Sequence, residues 1–164
     1  MIKDINHQQM VIDALSKTLE DVKPEVRSKS AESLGKIGNV GAVTALVNLL
    51  FDEENKVRLS VIRALGEIGS QAAIPQLVKV LIDKNPEIRA AAADALGKIG
   101  SQQVVSYLTH SLSDENPTVR ATAAAALGQI GSEDAIPTLV NALTDKDDTV
   151  RSNVIEAIGK IGAR

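Results

Sequence analysis

The chain repeats itself every 31 residues, and this constrains the fold more than any local propensity. Val26-Arg27 recurs as Val57-Arg58, Ile88-Arg89, Val119-Arg120 and Val150-Arg151, with no insertion or deletion between copies. The same step carries Leu34-Gly35-Lys36-Ile37-Gly38 onto Leu65-Gly66-Glu67-Ile68-Gly69, Leu96 to Gly100, Leu127 to Gly131 and Ile158 to Gly162. Ten of the eleven glycines fall in these runs. A row of acids, Asp21, Asp52, Asp83, Asp114 and Asp145, keeps the register six residues ahead of each arginine. A unit this short cannot bury an apolar face alone, so the copies must stack and share one core.

Within a period the apolar spacing is helical on both sides of the glycines: Val57, Val61, Ile62, Leu65 and Ile68, then Ala73, Ile74, Leu77, Val78 and Leu81. Each unit is therefore a pair of helices, A then B. Helix A opens after Asn85-Pro86 and Asn116-Pro117, where asparagine caps free N–H groups and proline at the first helical position has none to lose. The second glycine of each run suits a left-handed helix end, and Ser70, Ser101 or Ser132 follows as a cap for helix B. The first glycine lies a turn earlier, where its cost of about 1 kcal/mol against alanine is repaid by close helix approach. Alanine runs 90–93 and 123–126 keep helix A slim for the same purpose. Pro75 and Pro137 sit some five residues into helix B, which must either begin later or bend there.

The chain reads as a single array over 1–164: a half repeat at 8–21, units of 31 residues from about 22, and a final half repeat at 147–162, ten helices in all. The last helix carries Val154, Ile155, Ile158 and Ile161 as though a further helix should cover them. We expect either a longer array or an end-to-end contact with another copy.

Composition removes several functional classes. Eighteen Lys and Arg against 21 Asp and Glu give a formal net charge of -3, which disfavours nucleic-acid binding driven by bulk charge. With no cysteine and two histidines, thiolate chemistry and zinc-thiolate sites are out of reach, and no metal or cofactor is expected. No apolar run spans a membrane and no signal-peptide core opens the chain, so a cytoplasmic protein without a membrane partner is expected.

Proline eight residues before aspartate, with a β-branched residue and an arginine five and six further on, occurs as Pro75, Asp83, Ile88, Arg89 and again as Pro137, Asp145, Val150, Arg151. This pattern, with Leu-Gly-x-Ile-Gly and the short period, resembles the HEAT-like repeats of phycobilisome-lyase type over about residues 8–162. Thr44 and Ser106 replace the proline in two units. The resemblance implies an all-α fold, a right-handed α-solenoid of stacked antiparallel helix pairs, with the B helices lining the concave side. HEAT-like hydroxylases carry paired His-Glu motifs, and this chain has no His-Glu dipeptide. HEAT-like DNA glycosylases use aromatic residues and a basic surface, and Trp is absent here.

Five equal Asp/Arg sets argue for structure, because an active site needs one asymmetric constellation. Arg27, Arg58, Arg89, Arg120 and Arg151 with Asp21, Asp52, Asp83, Asp114 and Asp145 read as a structural ladder, each pair tying its own turn through charge-assisted hydrogen bonds. Information about function then lies where repeats differ at exposed positions. On helix B these columns read Ala45, Gln76, Tyr107, Thr138; Asn48, Lys79, His110, Asn141; and Phe51, Ile82, Ser113, Thr144. Asn48, Phe51, Gln76, Lys79, Ile82, Tyr107, His110, Thr138 and Asn141 are the candidate contacts for a partner protein, with the aromatic residues as anchors. His110 lacks a second histidine at helical spacing and is not expected to bind metal. No catalytic residue is expected: the chain reads as a non-enzymatic protein-interaction scaffold, the alternative being a subunit or fragment of a phycobilin-lyase-like chromophore attachment factor.

Overall fold

The computed structural model describes residues 2–164, with burial defined from His7 onward. Its helices are α1 (Ile2–Thr18), α2 (Pro24–Ile37), α3 (Val43–Val47), α4 (Asn55–Ile68), α5 (Ile74–Val80), α6 (Pro86–Ile99), α7 (Val105–Ser111), α8 (Pro117–Ile130), α9 (Ile136–Ala142) and α10 (Asp148–Gly162). Among the described residues there is no strand. The fold is all-α, built of antiparallel helix pairs in which even-numbered helices are type A and odd-numbered helices type B. The first half repeat is longer than expected, since α1 begins at Ile2 instead of near residue 8.

The chain divides into two compact units, residues 1–73 and 74–164. In the first, α2 lies along α4, while α1 packs on α2 and α3 on α4. In the second, α6, α8 and α10 stack side by side, with α5, α7 and α9 packed on α6, α8 and α10 in turn. The apolar columns form the two cores: Leu34, Leu46, Val57, Val61 and Leu65 in one, Leu77, Ile88, Leu96, Leu108, Leu127 and Leu139 in the other, all fully buried. Each contributes about 1.5–3 kcal/mol by leaving water.

The A helices begin as the sequence indicates. Asn85 and Asn116 accept hydrogen bonds from the N–H groups of Glu87 and Thr118, and Asp147 accepts from Thr149 and Val150, all next to a first turn whose donors have no helical acceptor. They end at Gly38, Gly69, Gly100 and Gly131, whose φ of 69 to 75° is the left-handed conformation that a Cβ penalises. Gly162 departs from the row: α10 runs through it and ends at Ala163.

The proline question resolves in favour of a late helix start. A 3-10 turn, Glu133–Ala135, precedes α9, so Pro137 falls in the first turn, where its missing N–H costs nothing. Thr44 and Ser106 occupy the same place after the turns Val40–Ala42 and Gln102–Val104, so loss of proline leaves the geometry of this junction unchanged. The serine cap acts on the turn instead of on the helix, as Ser101 Oγ accepts from Gln103 N at 3.3 Å, and Ser132 makes no such bond.

The first-row glycines hold the A helices together. A methyl group added at Gly35 would lie 2.8 Å from Ala64 Cα, at Gly97 2.7 Å from Ala126 Cβ, and at Gly128 2.6 Å from Ala157 Cα. Nothing lies within 4 Å at Gly159, so the last member of the row meets open space.

Candidate protein-binding face

The ladder is built from the ends of the A helices. Arg89 lies in the first turn of α6, 7% exposed, and forks onto the next repeat: Nε donates to Asp114 Oδ2 at 2.8 Å and Nη2 to Oδ1 at 2.7 Å. Its Nη1 donates to the backbone carbonyl of Asp83 at 2.8 Å. Arg120 repeats this on Asp145 (2.7 and 2.8 Å) and the Asp114 carbonyl, and Arg27 on Asp52 (2.8 and 2.9 Å) and the Asp21 carbonyl. Each carboxylate also accepts the N–H two residues on, as Asp114 does from Asn116.

This pairing differs from the sequence expectation. Arginine takes the backbone carbonyl of its own turn and the carboxylate of the following one, because the carboxylate is already turned toward its loop N–H and its outer edge faces the preceding helix. The ladder therefore joins repeats in addition to bracing turns. Arg120's hydrogen bond holds the Asp145 carboxyl below the usual carboxylate range. Burial pushes Asp114 and Asp52 upward, and the bonds from Arg89 or Arg27 and from a loop N–H outweigh it, leaving both lowered. The charged groups of the Arg89–Asp114 and Arg120–Asp145 rungs are engaged in these internal bonds, and Arg89 and Asp114 also form part of the wall of an open groove on the B-helix side.

The B helices present different chemistry. In the first unit Asn48 and Phe51 are exposed beyond the end of α3, Phe51 at 58%. In the second, Lys79 and the half-buried Gln76 share α5 and are joined by a 3.0 Å hydrogen bond from Nζ to Oε1. Ile82 follows, 83% exposed. Tyr107 and His110 are exposed one turn apart on α7, and Thr138 and Asn141 lie on α9, the first half-buried. Ile82 and His110 line a common groove of about 290 Å³ with Ser113 and Glu115. Thr138 and Asn141 line a neighbouring groove with Leu112 and Thr144. Tyr107 belongs to neither groove and stands on open surface.

Sequence reasoning missed Glu115, which comes from the turn after α7 and not from a helical column, so no helix-period argument selects it. It also missed a hollow on the A-helix side between Asp94, Thr118, Ala125 and Asn153. The signal there was Ala125, an exposed member of a run read as packing. Among the described residues no group of three or more His, Cys, Asp or Glu is placed to hold a metal ion, and no helix is long and apolar enough to cross a membrane.

No curated protein sequence matches the chain. Among solved structures, the complex of CpcE and CpcF of phycocyanin lyase from Nostoc sp. PCC7120 is similar with a TM-score of 0.81 at 24% identity, covering 93% of this chain and 65% of that one. An engineered protein aligns with a TM-score of 0.70 at 25% identity over 92% and 78% of the two chains. A designed armadillo repeat protein in complex with the peptide (KR)4 aligns with a TM-score of 0.69 at 21% identity over 95% and 86%. The family model described as HEAT repeats matches residues 43–115 and 107–164, and that of the PBS lyase HEAT-like repeat matches 26–52. By these matches the chain belongs to the HEAT-repeat family.

Proposed function

We propose that this chain is a non-enzymatic protein-interaction module that binds a partner protein on the exposed face of its B helices. The observation that carries the reading is a division of labour between residues. Recurring residues such as Arg89, Asp114 and Gly97 are engaged in contacts between repeats, whereas Tyr107, His110, Lys79 and Ile82, which differ from their counterparts, are exposed. An apolar anchor such as Ile82 beside the His110 imidazole and the Glu115 carboxylate suits a segment that buries one apolar side chain and hydrogen-bonds around it. Because the helices are held by the core and by the ladder, little ordering entropy is lost on binding. In the first unit, Phe51 and Asn48 are exposed in the same way.

The test is affinity capture with wild type beside a Phe51→Ser, Tyr107→Ala, His110→Ala variant of unchanged helicity. Loss of a partner by the variant alone supports the reading, and equal retention overturns it. A second reading, a subunit or fragment of a phycobilin-lyase-like chromophore attachment factor, is favoured by the likeness to the phycocyanin lyase complex, of whose matched chain this one covers 65%. It predicts that added bilin changes its absorbance spectrum in the presence of this protein, and an unchanged spectrum rejects it.

A further inference from the structure

The flank of α10 that faces away from α8 is an uncovered copy of a surface that is buried elsewhere in the same unit. Arg120, Ala121, Ala124, Leu127 and Gly128 of α8 are all buried. One repeat on, Ser152, Ile155 and Gly159 of α10 are exposed and Arg151 and Ile158 half-buried. Arg151 retains only the backbone half of its rung, donating from Nη1 to the Asp145 carbonyl at 2.7 Å. Among the described residues no carboxylate meets its Nε and Nη2.

The flank of α2 is uncovered in the opposite sense. Val57, Ser60, Val61 and Ala64 of α4 are buried in the unit where α4 lies along α2. Their counterparts Val26, Lys29, Ser30 and Ser33 line an open groove on α2 together with Leu15 and Thr18 of α1. Asp21 stands in the ladder pose, with Oδ1 accepting from Lys23 N at 2.8 Å as Asp114 Oδ1 does from Asn116. Among the described residues its outer oxygen accepts nothing.

We propose that these two flanks are complementary and that one copy of the chain docks through α10 onto α1 and α2 of a second copy. Asp21 is the aspartate-row member that Arg151 lacks, and Ser33 the member of the Ala64, Ala126, Ala157 row that would face Gly159. Both matches require the same shift of five repeat lengths, so a single docking pose satisfies the ion pair and the glycine contact together. Ile155 and Ile158 of one copy meet the groove between Leu15 and Val26 of the next. Charge is complementary and the contact heterologous, so it propagates as an open array unless the rotation closes.

Sedimentation velocity of the 164-residue chain tests this. Wild type should shift from 17.3 kDa toward multiples of that mass as concentration rises over about a hundredfold range. Ile155→Glu, at a side chain 62% exposed and therefore outside the core, should hold the mass at the monomer value with unchanged helicity. Arg151→Asp and Asp21→Arg should each be monomeric alone and associate when mixed, because each variant then offers the end that the other lacks. Wild type that stays monomeric throughout overturns the proposal. So does association indifferent to Ile155→Glu, or failure of the two charge variants to associate on mixing.

Discussion

The same substitution at two equivalent glycines should change stability in opposite directions. At Gly97 an added methyl lies 2.7 Å from Ala126 Cβ and 2.9 Å from Ala126 Cα, against about 3.5–4.0 Å for unstrained carbon contacts. The second atom is backbone, so no side-chain rotation relieves it, and α6 must move from α8 by most of an ångström. Overpacking of this kind costs about 1–3 kcal/mol, offset by about 1 kcal/mol from the better helix propensity of alanine, so Gly97→Ala should destabilise by roughly 1 kcal/mol. At Gly159 nothing lies within 4 Å of the added atom, and only the propensity gain remains. Gly159→Ala should therefore stabilise by about 0.5–1 kcal/mol. Thermal melts followed by circular dichroism, at concentrations where the chain is monomeric, should show midpoints about 2–4 °C below and above wild type. If both variants move in the same direction, close approach of helices is not the reason for the glycine row.

Other perturbations follow from the same geometry. Arg89→Ala leaves the Asp114 carboxylate, 13% exposed, without its fork, and should destabilise by about 3 kcal/mol in urea titration; Arg89→Lys should recover only part, since an ammonium cannot span two carboxylate oxygens and a carbonyl. Asn116→Ala removes the α8 cap and should cost about 1 kcal/mol in the same assay. The depressed carboxyls of Asp52, Asp114 and Asp145 favour the folded state fully above the unfolded value of about 3.9 and lose that contribution as pH falls through their lower folded values. Melting temperature should thus hold near neutrality and fall below about pH 4, and Asp114→Asn should flatten that fall.

Almost all of the fold was legible because the repeat supplies five readings of each position. Gly38, Gly69, Gly100 and Gly131 reveal a left-handed helix end by recurring where the apolar period stops, and Asn85 and Asn116 reveal the caps by preceding proline. What the pattern hid is contact between units of the pattern. Arg89 stands close in sequence to Asp83, yet its side chain reaches Asp114, because a fork that satisfies a turn carbonyl with one nitrogen points its other edge at the next inter-repeat turn. Gly162 and Gly159 follow the motif but not its conformation or packing, since α10 runs through Gly162 and, among the described residues, nothing lies within 4 Å of a methyl group added at Gly159. On the B helices, the helical columns indicate exposure of Tyr107 and His110, which are exposed, whereas Glu115 comes from a turn, where periodicity says nothing.

The proposed function assigns recognition to the non-repeating face of the B helices. The most direct measurement is site-specific photocrosslinking, with benzophenone-bearing residues placed singly at Tyr107 and at Ala125, an exposed site on A helix α8. A crosslinked partner is expected from position 107 and none from 125. A partner crosslinked from 125 and absent from 107 would contradict it and move the binding surface to the A helices.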